Sequence, residues 1–479
     1  MKRMSQTARL RIIGRAVSAN EPATSNLGEL RDWIVRGVPS PDHAISYLVL
    51  AVLYGSIPNF DLIKTFTRRW RIDGLGGLID HHLARSRRGG TRLPIRVESG
   101  VIVDVTDTSR SKYTTGIQRV ARETLTRWHA ERPLTLVAWR AEGEILVTLS
   151  SEEVSRVLIR GSDPATQLPR EFILPFRAMV VLPEISVSAE RTARLRTIAR
   201  FSGGRSVAIG FDCIPVTTAE TAGAGMPGAF SKYLSMLARF DAIAPISSAS
   251  AHEYKGWRRM LSGAGLVGPD IREISLPFAA GTFDEAHARK TRSQLGLDDT
   301  RIVLSVGSHE PRKNHLNLLH AAEIAWRAGE EFSLVLVGGN AWDTDRFDQM
   351  VVKLRRAGRR IVQLSGVEDE VIWDLYGLAE FSVFCSVNEG FGLPVVESLS
   401  IGTPVITSDF GSMRELGEGR GALLVNPRDV DQLAAGMINL LSNEAELKAL
   451  TEMTSNLPVS SWQTYADELW DFASAPNRA

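Results

Sequence analysis

The chain has 479 residues, a net charge of +1 and two cysteines, with 44% hydrophobic and 23% charged residues. These figures describe a soluble globular protein of about two to four domains and exclude collagenous, disordered and disulfide-framework classes. Cys213 and Cys385 form no CxxC pair that would suggest zinc. The neutral total argues against a nucleic-acid binder, but it hides an uneven split. Residues 1–100 carry 16 Lys+Arg against 8 Asp+Glu, and the remainder carries 40 against 47, so a net of +8 stands beside one of −7.

Residues 1–99 open with Lys2, Arg3, Arg9, Arg11 and Arg15, without the apolar core and cleavage site of a signal peptide. The apolar run Ala44 to Leu53, closed by Gly55 and Pro58, is about half of the ~20 residues that span a bilayer, and reads as a buried helix. Lys64, Arg68, Arg69 and Arg71 surround Phe66 and Trp70, and Arg85, Arg87 and Arg88 precede Gly89-Gly90. This basic helical extension fits peripheral docking on an anionic membrane face. It also fits a solvated helical face followed by a basic linker.

From Val101 the pattern becomes α/β. Val101 to Val105 reads as a strand, Thr106 to Thr115 as a polar loop, and Gly116 opens a helix over Ile117 to His129, an arrangement that presents N–H groups to a phosphate or sugar. Leu134 to Trp139, Ala178 to Leu182, Val207 to Phe211 and Ala242 to Ile246 are further strands. Asp212 falls at a strand's C-terminal end, where doubly wound sheets place ligands, although Pro215 also suits a turn aspartate. The stretch 280–300 is polar and charged and reads as an interdomain connection.

A second β/α alternation begins at Arg301 and ends its first strand at Gly307. Arg312 and Lys313 follow at a loop-to-helix junction, where adjacent cations can neutralise a diphosphate. Strands at Ser333–Val337, Ile361–Leu364 and Phe381–Ser386 continue the rhythm, which predicts a parallel sheet. After the last comes Glu389-Gly390-Phe391-Gly392-Leu393-Pro394-Val395-Val396-Glu397. Two glutamates are separated by seven residues, with glycines that let a ligand approach the backbone and a proline suited to a helix start. Carboxylates accept hydrogen bonds from diols, and free N–H groups suit anions or sugar oxygens.

This constellation resembles the retaining glycosyltransferases of the GT-B fold, family four (group one), over about Val101 to Phe472. The resemblance implies an α/β protein of two Rossmann-like doubly wound domains facing a crevice, behind the mostly helical N-terminal extension. The expected domains are 1–99, an acceptor domain over 100–285, a donor domain over 286–455, and a helix over 456–479 that crosses back. It implies that Glu389 contacts the donor sugar, Glu397 the ribose, and the backbone of Gly390, Phe391, Gly392 and Leu393 the sugar hydroxyls and phosphates. Lys313 matches the family's diphosphate lysine. Ser308 replaces the arginine that follows the strand glycine, so Arg312 must supply that charge. Gly307 ends the first strand, Val367 lies in the loop bordering the base, and Gly116 is similar to the glycine near the donor phosphates. Phe211 stands where many members carry a histidine, which shifts a polar role to Asp212. Phe211-Asp212-Cys213-Ile214-Pro215 and Thr115 to Arg119 are similar to strings of the mannosyl- and rhamnosyltransferase branch that makes bacterial surface polysaccharides.

The implied activity is hexose transfer with retention, best from GDP-mannose, to a glycan or lipid-linked acceptor, with Glu389, Lys313 and Asp212 as catalytic residues. No cofactor or metal is implied beyond the nucleotide sugar, and no nucleic-acid partner. The expected location is the cytoplasm, peripheral at the inner face of the membrane. A UDP-sugar donor and a non-catalytic scaffold that keeps the fold are the competing readings.

Overall fold

The computed structural model describes residues 4–86, 91–111, 115–140, 143–159, 169–279, 281–339, 341–458 and 460–476. Lys2, Arg3, Arg87, Arg88 and Gly89-Gly90, and part of the Thr106 to Thr115 loop, lie outside the described residues.

Five helices come first: α1 (Gln6–Val17), α2 (Leu27–Gly37), α3 (His43–Tyr54), α4 (Phe60–Asp73) and α5 (Leu75–Arg85). Asp42 caps α3 by accepting the Ile45 N–H, and Gly55 ends it in the left-handed region at φ 65°. Ile45 to Leu53 are all buried, so this helix is apolar on every side and is enclosed by its neighbours. Arg9 is buried too, and its guanidinium donates to the carbonyl of Leu53 in the last turn of α3, where a cation complements the helix end. The basic and aromatic residues of α4 separate. Phe66 and Trp70 pack in the core, while Arg68, Arg69 and Arg71 stay outside. The aromatic half of the expected docking surface is therefore core, because helical spacing puts residues 66 and 70 on the inner face. No described helix is long and apolar enough to cross a membrane.

The first sheet contains β1 (Ile95–Glu98), β2 (Val101–Asp104), β3 (Leu134–Arg140), β4 (Ile145–Thr148), β5 (Phe172–Pro175), β6 (Met179–Leu182), β7 (Arg205–Gly210), β8 (Ala242–Pro245) and β9 (Asp270–Ile271). Its order is β1-β5-β4-β3-β2-β6-β7-β8-β9, parallel except where β4 runs against β3 and β5. One apolar cluster joins α1–α5 to residues of this sheet such as Ile102, Phe172 and Leu174. The N-terminal helices thus form a layer of the first domain's core.

The second sheet contains β10 (Ile302–Val306), β11 (Ser333–Val337), β12 (Ile361–Leu364), β13 (Phe381–Phe384), β14 (Val405–Ser408) and β15 (Ala422–Val425). All pairs are parallel in the order β12-β11-β10-β13-β14-β15. Counted from β10 this is 3-2-1-4-5-6, the doubly wound order whose strand direction of progress reverses between the first and fourth strands. The polar stretch at 280–300 is not all connection. Helix Glu285–Gln294 occupies its middle, with Ala288 and Thr291 buried and Thr291 donating to Asp374 at 2.6 Å. Its polarity misled because only a narrow stripe of a short surface helix is buried.

The helix Trp462–Ser474 packs on the first domain. Trp128 is fully buried, donates from Nε1 to Ala466 O at 2.8 Å, and meets Trp470 edge-on at 5.2 Å. Arg205 donates to Ala473 O at 2.7 Å. Trp128→Ala is expected to cost about 3–5 kcal/mol of stability, measured by denaturant unfolding, since it opens a cavity and strands an acceptor.

Candidate functional site

The site lies at the C-terminal ends of β10 and β13, where the second sheet reverses direction. β10 ends at Val306, just before Gly307, and the single turn Pro311–Lys313 is closed by Asn314 at φ 61°. The Asn314 side chain donates to Cys385 O at 3.1 Å and to Pro427 O at 2.6 Å, tying this loop to the ends of β13 and β15. Val387 N–H donates to Arg312 O at 2.9 Å. These bonds hold both cations under the loop that follows β13.

There Lys313 Nζ stands 2.7 Å from Glu389 Oε1, and Arg312 Nη1 2.5 Å from Glu389 Oε2. Arg312 also pairs with Glu310 at 2.6 Å and donates to Asn388 O at 3.0 Å. Lys313 lies 4.8 Å from the Phe384 ring centroid and lines the Gly307 backbone. Burial alone would raise the Glu389 carboxyl, but Arg312 and Lys313 overcome it and hold the group at about 2. Burial pulls Lys313 below its ordinary value in spite of Glu389. Arg312 is held charged by Glu389 and Glu310 against the cost of its own burial.

Glu397 sits in the helix Leu393–Ser400, facing the first domain. Its Oε1 is 2.5 Å from Arg119 Nη1, and its Oε2 accepts from Tyr376 OH at 3.0 Å. Gly116 opens the helix that carries Arg119, and a methyl group on it would meet Leu393 at 3.5 Å. Among the described residues no acceptor takes the N–H groups of Gly390, Phe391 and Gly392, which precede the start of helix Leu393–Ser400. The backbone therefore offers donors, while the Phe391 side chain is buried in the core that joins the two domains. Val367 stands apart. It follows the edge strand β12, two strands from β10, and packs on the cluster around Leu375 and Tyr376.

The crevice is shut. Ser247 Oγ donates to Gly390 O at 2.6 Å, and Ser250 Oγ lies 2.5 Å from Phe211 O. Glu415 accepts the N–H groups of Ser248 and Ala249, both at 3.1 Å, at the start of helix Ser248–Gly263. A methyl group on Gly390 would come within 2.5 Å of Phe211 O and 3.1 Å of Asp212 Oδ2. Asp212 thus lies beside the glutamate–glycine segment. Its carboxyl is pushed up to about 6, chiefly by burial, with Arg312 opposing and Glu253 adding.

Lys313, Arg312, Glu389, Gly390 and Asp212 converge, with Gly307 against Lys313 and Glu397 one helix turn beyond Leu393. Sequence reasoning missed Arg119, Tyr376, Glu310, Ser247, Ser250 and Glu415 as site-forming residues. Glu310, two positions before Arg312, and Arg119, at the end of the string Thr115 to Arg119, lay within local signals. Among the described residues no group of three or more His, Cys, Asp or Glu side chains is placed to hold a metal.

Two outcomes follow from the geometry. Between pH 4 and 6 the native state keeps a proton on Asp212 that an unfolded aspartate, with its value of 3.8, has lost, so stability falls as pH rises through that window. Asp212→Asn, which keeps the acceptor for Ile214 N–H, is expected to raise Tm at pH 7.5, with the gain gone by about pH 4. Gly390→Ala is expected to hold the domains apart, seen as a larger radius of gyration in small-angle scattering.

Residues 288–456 match the family model described as glycosyl transferases group 1. A serotype-specific mannosyltransferase of Escherichia coli is 27% identical over 231 residues, which is 46% of this chain and 28% of that protein. O-antigen chain mannosyltransferase B of Escherichia coli is 36% identical over 144 residues, 30% of this chain and 37% of its own length. The chain therefore spans well under half the length of these relatives. Among solved structures, Anabaena HepE in complex with UDP and glucose superposes with a TM-score of 0.56 at 14% identity, over 79% of this chain and all of its own. Sucrose-phosphate synthase from Thermosynechococcus elongatus gives 0.56 at 18% identity, over 78% and 98%. The chain has the GT-B fold, and residues 288–456 match the group 1 glycosyl transferase model.

Proposed function

We propose that this protein transfers a hexose from a nucleotide sugar, best GDP-mannose, to a hydroxyl of a glycan or lipid-linked acceptor in bacterial surface polysaccharide or glycolipid synthesis, with retention at the anomeric carbon. The observation that carries this reading is the convergence of Arg312 and Lys313 on Glu389 at the sheet's reversal point. Two largely buried cations suit a diphosphate, and a carboxylate they no longer hold is free to accept hydrogen bonds from sugar hydroxyls. The mannosyltransferase names of the Escherichia coli relatives support the sugar, and the reading of GDP rests on them and on the Asp212 to Pro215 string.

In the proposed reaction the diphosphate replaces Glu389 on Arg312 and Lys313, which stabilise the charge that grows as the bond from anomeric carbon to phosphate oxygen breaks. The acceptor oxygen forms its new bond on the same face, and its proton passes to a phosphate oxygen of the departing nucleoside diphosphate. Glu389, an ionised carboxylate on the two cations in the empty protein, turns to the sugar and orients it. Asp212 stands on the opposing wall, where the family's histidine is missing, and contacts the donor sugar. As in the family resembled, the diphosphate charge falls to Arg312 and Lys313 rather than to a metal. The protein works in the cytoplasm, with the outer residues of α4 facing the membrane.

Release of nucleoside diphosphate is to be measured with GDP-mannose, UDP-glucose and other donors, using membrane lipid extract as acceptor. GDP-mannose is expected to give acceptor-dependent release, and silence with every donor would favour the scaffold reading. Lys313→Ala is expected to lower turnover by about 10²-fold or more with the fold intact by circular dichroism. A fully active Lys313→Ala protein would remove the diphosphate assignment.

A further inference from the structure

Among the described residues Arg119 is the one residue of the first domain that reaches Glu397 through an ion pair, and the proposed reaction gives it no task. It projects from the first turn of the helix Gly116–Glu131, whose start is fixed by Gln118 Oε1 accepting the Thr115 N–H at 2.9 Å. Of the two partners of Glu397, Tyr376 is fully buried and stands behind the carboxylate. Arg119, with its side chain 26% exposed, covers the carboxylate from the side of the first domain. Its guanidinium carbon also lies 6.0 Å from the Trp373 ring centroid, which offers a second seat for the cation once the carboxylate is taken.

We infer that Arg119 is a latch that occupies the ribose-binding carboxylate of the empty protein and must be displaced by the two ribose hydroxyls of the donor. The inference rests on the reading of Glu397 as the ribose ligand. Its physical content is competition: a carboxylate oxygen bonded to a guanidinium at 2.5 Å presents less of its lone-pair surface to a diol, so ribose binding has to exchange one partner for another. Because Arg119 and Glu397 belong to different domains, the exchange also removes a contact that keeps the crevice shut. The other contacts between the domains, from Ser247, Ser250 and Glu415, do not depend on that exchange.

The test compares GDP with 2′,3′-dideoxy-GDP, and UDP with its dideoxy form, by isothermal titration on the full chain. Arg119→Ala is expected to tighten the ribonucleotide about five- to tenfold, the scale of a partly buried ion pair, and to leave the dideoxy form within about twofold. Arg119→Lys, which can still pair with Glu397, should behave close to the unaltered protein. Arg119→Gln, which keeps an N–H but not the charge, should tighten the ribonucleotide by less than Ala does, and it serves where the Ala variant does not fold. A merely structural arginine would shift both nucleotides together. An equal shift, or weaker ribonucleotide binding by the Ala variant, would overturn the latch while the site reading stands. If the unaltered protein binds no nucleoside diphosphate, the site reading itself fails and the latch with it. If it binds the ribose and dideoxy forms equally, Glu397 is not the ribose ligand and the latch is likewise overturned.

Discussion

Two adjacent cations cannot be buried together without anions to hold them, and that constraint organises the whole site. Arg312 and Lys313 are consecutive residues on one turn, both largely withdrawn from water. Left alone they would repel each other and lack solvation. Glu389 answers both at once, one carboxylate oxygen to each, while Glu310 takes the second edge of the Arg312 guanidinium. The cluster is close to neutral as it stands. An incoming anion gains full access to the cations only by displacing Glu389, so the same residues that stabilise the empty protein set the charge that a ligand has to bring.

The sheet makes this possible with residues far apart in the chain. Lys313 and Glu389 are separated by 76 positions, yet both leave the C-terminal ends of strands that lie side by side. Reversal of strand order between β10 and β13 opens a gap between the connections that cross to opposite faces, and the loops meet there. The first domain then closes that gap from above. Its contribution is mostly hydroxyls and backbone, with Ser247, Ser250 and the Phe211 carbonyl around Gly390, and a helix N-terminus on Glu415. These polar contacts surround an apolar core that also spans the two domains, with Phe391 and Val395 packed among residues of the first.

The parallel second sheet was legible in advance because its buried strands are short apolar runs at regular spacing, and the pair Glu389 and Glu397 because its glycines and proline sit in a local string. The same holds for Lys313 and Arg312, which lie next to each other at a strand end. What could not be read were pairings with no local period. Arg119 meets Glu397 across 278 positions, and Ser247 meets Gly390 across 143. A serine before a helix looks like a cap whether or not its hydroxyl also serves another domain, and Ser247 does both. Charge counting misled in a similar way at the N-terminal helices. Arg9 counts as a surface charge in composition, but it is spent on a carbonyl at the end of α3. Phe66 and Trp70 looked like part of a basic, aromatic surface until the helix turned them inward.

The last helix described, Trp462–Ser474, supplies Trp462, Tyr465, Leu469 and Phe472 to a core shared with Val103, Trp128 and Val207 of the first domain. Trp128 and Ala466 are joined across 338 positions. During synthesis the first sheet therefore leaves the ribosome with one apolar face incomplete, and it stays so while the entire second domain is made and folded. Closing a loop of that length is slow compared with local helix and strand formation. The exposed face in the meantime is a surface on which a chaperone, or another nascent copy, can bind. The second domain carries less of this debt: its six parallel strands are consecutive in the chain and much of its core is its own, although Phe391, Val395 and Met413 wait for the shared cluster.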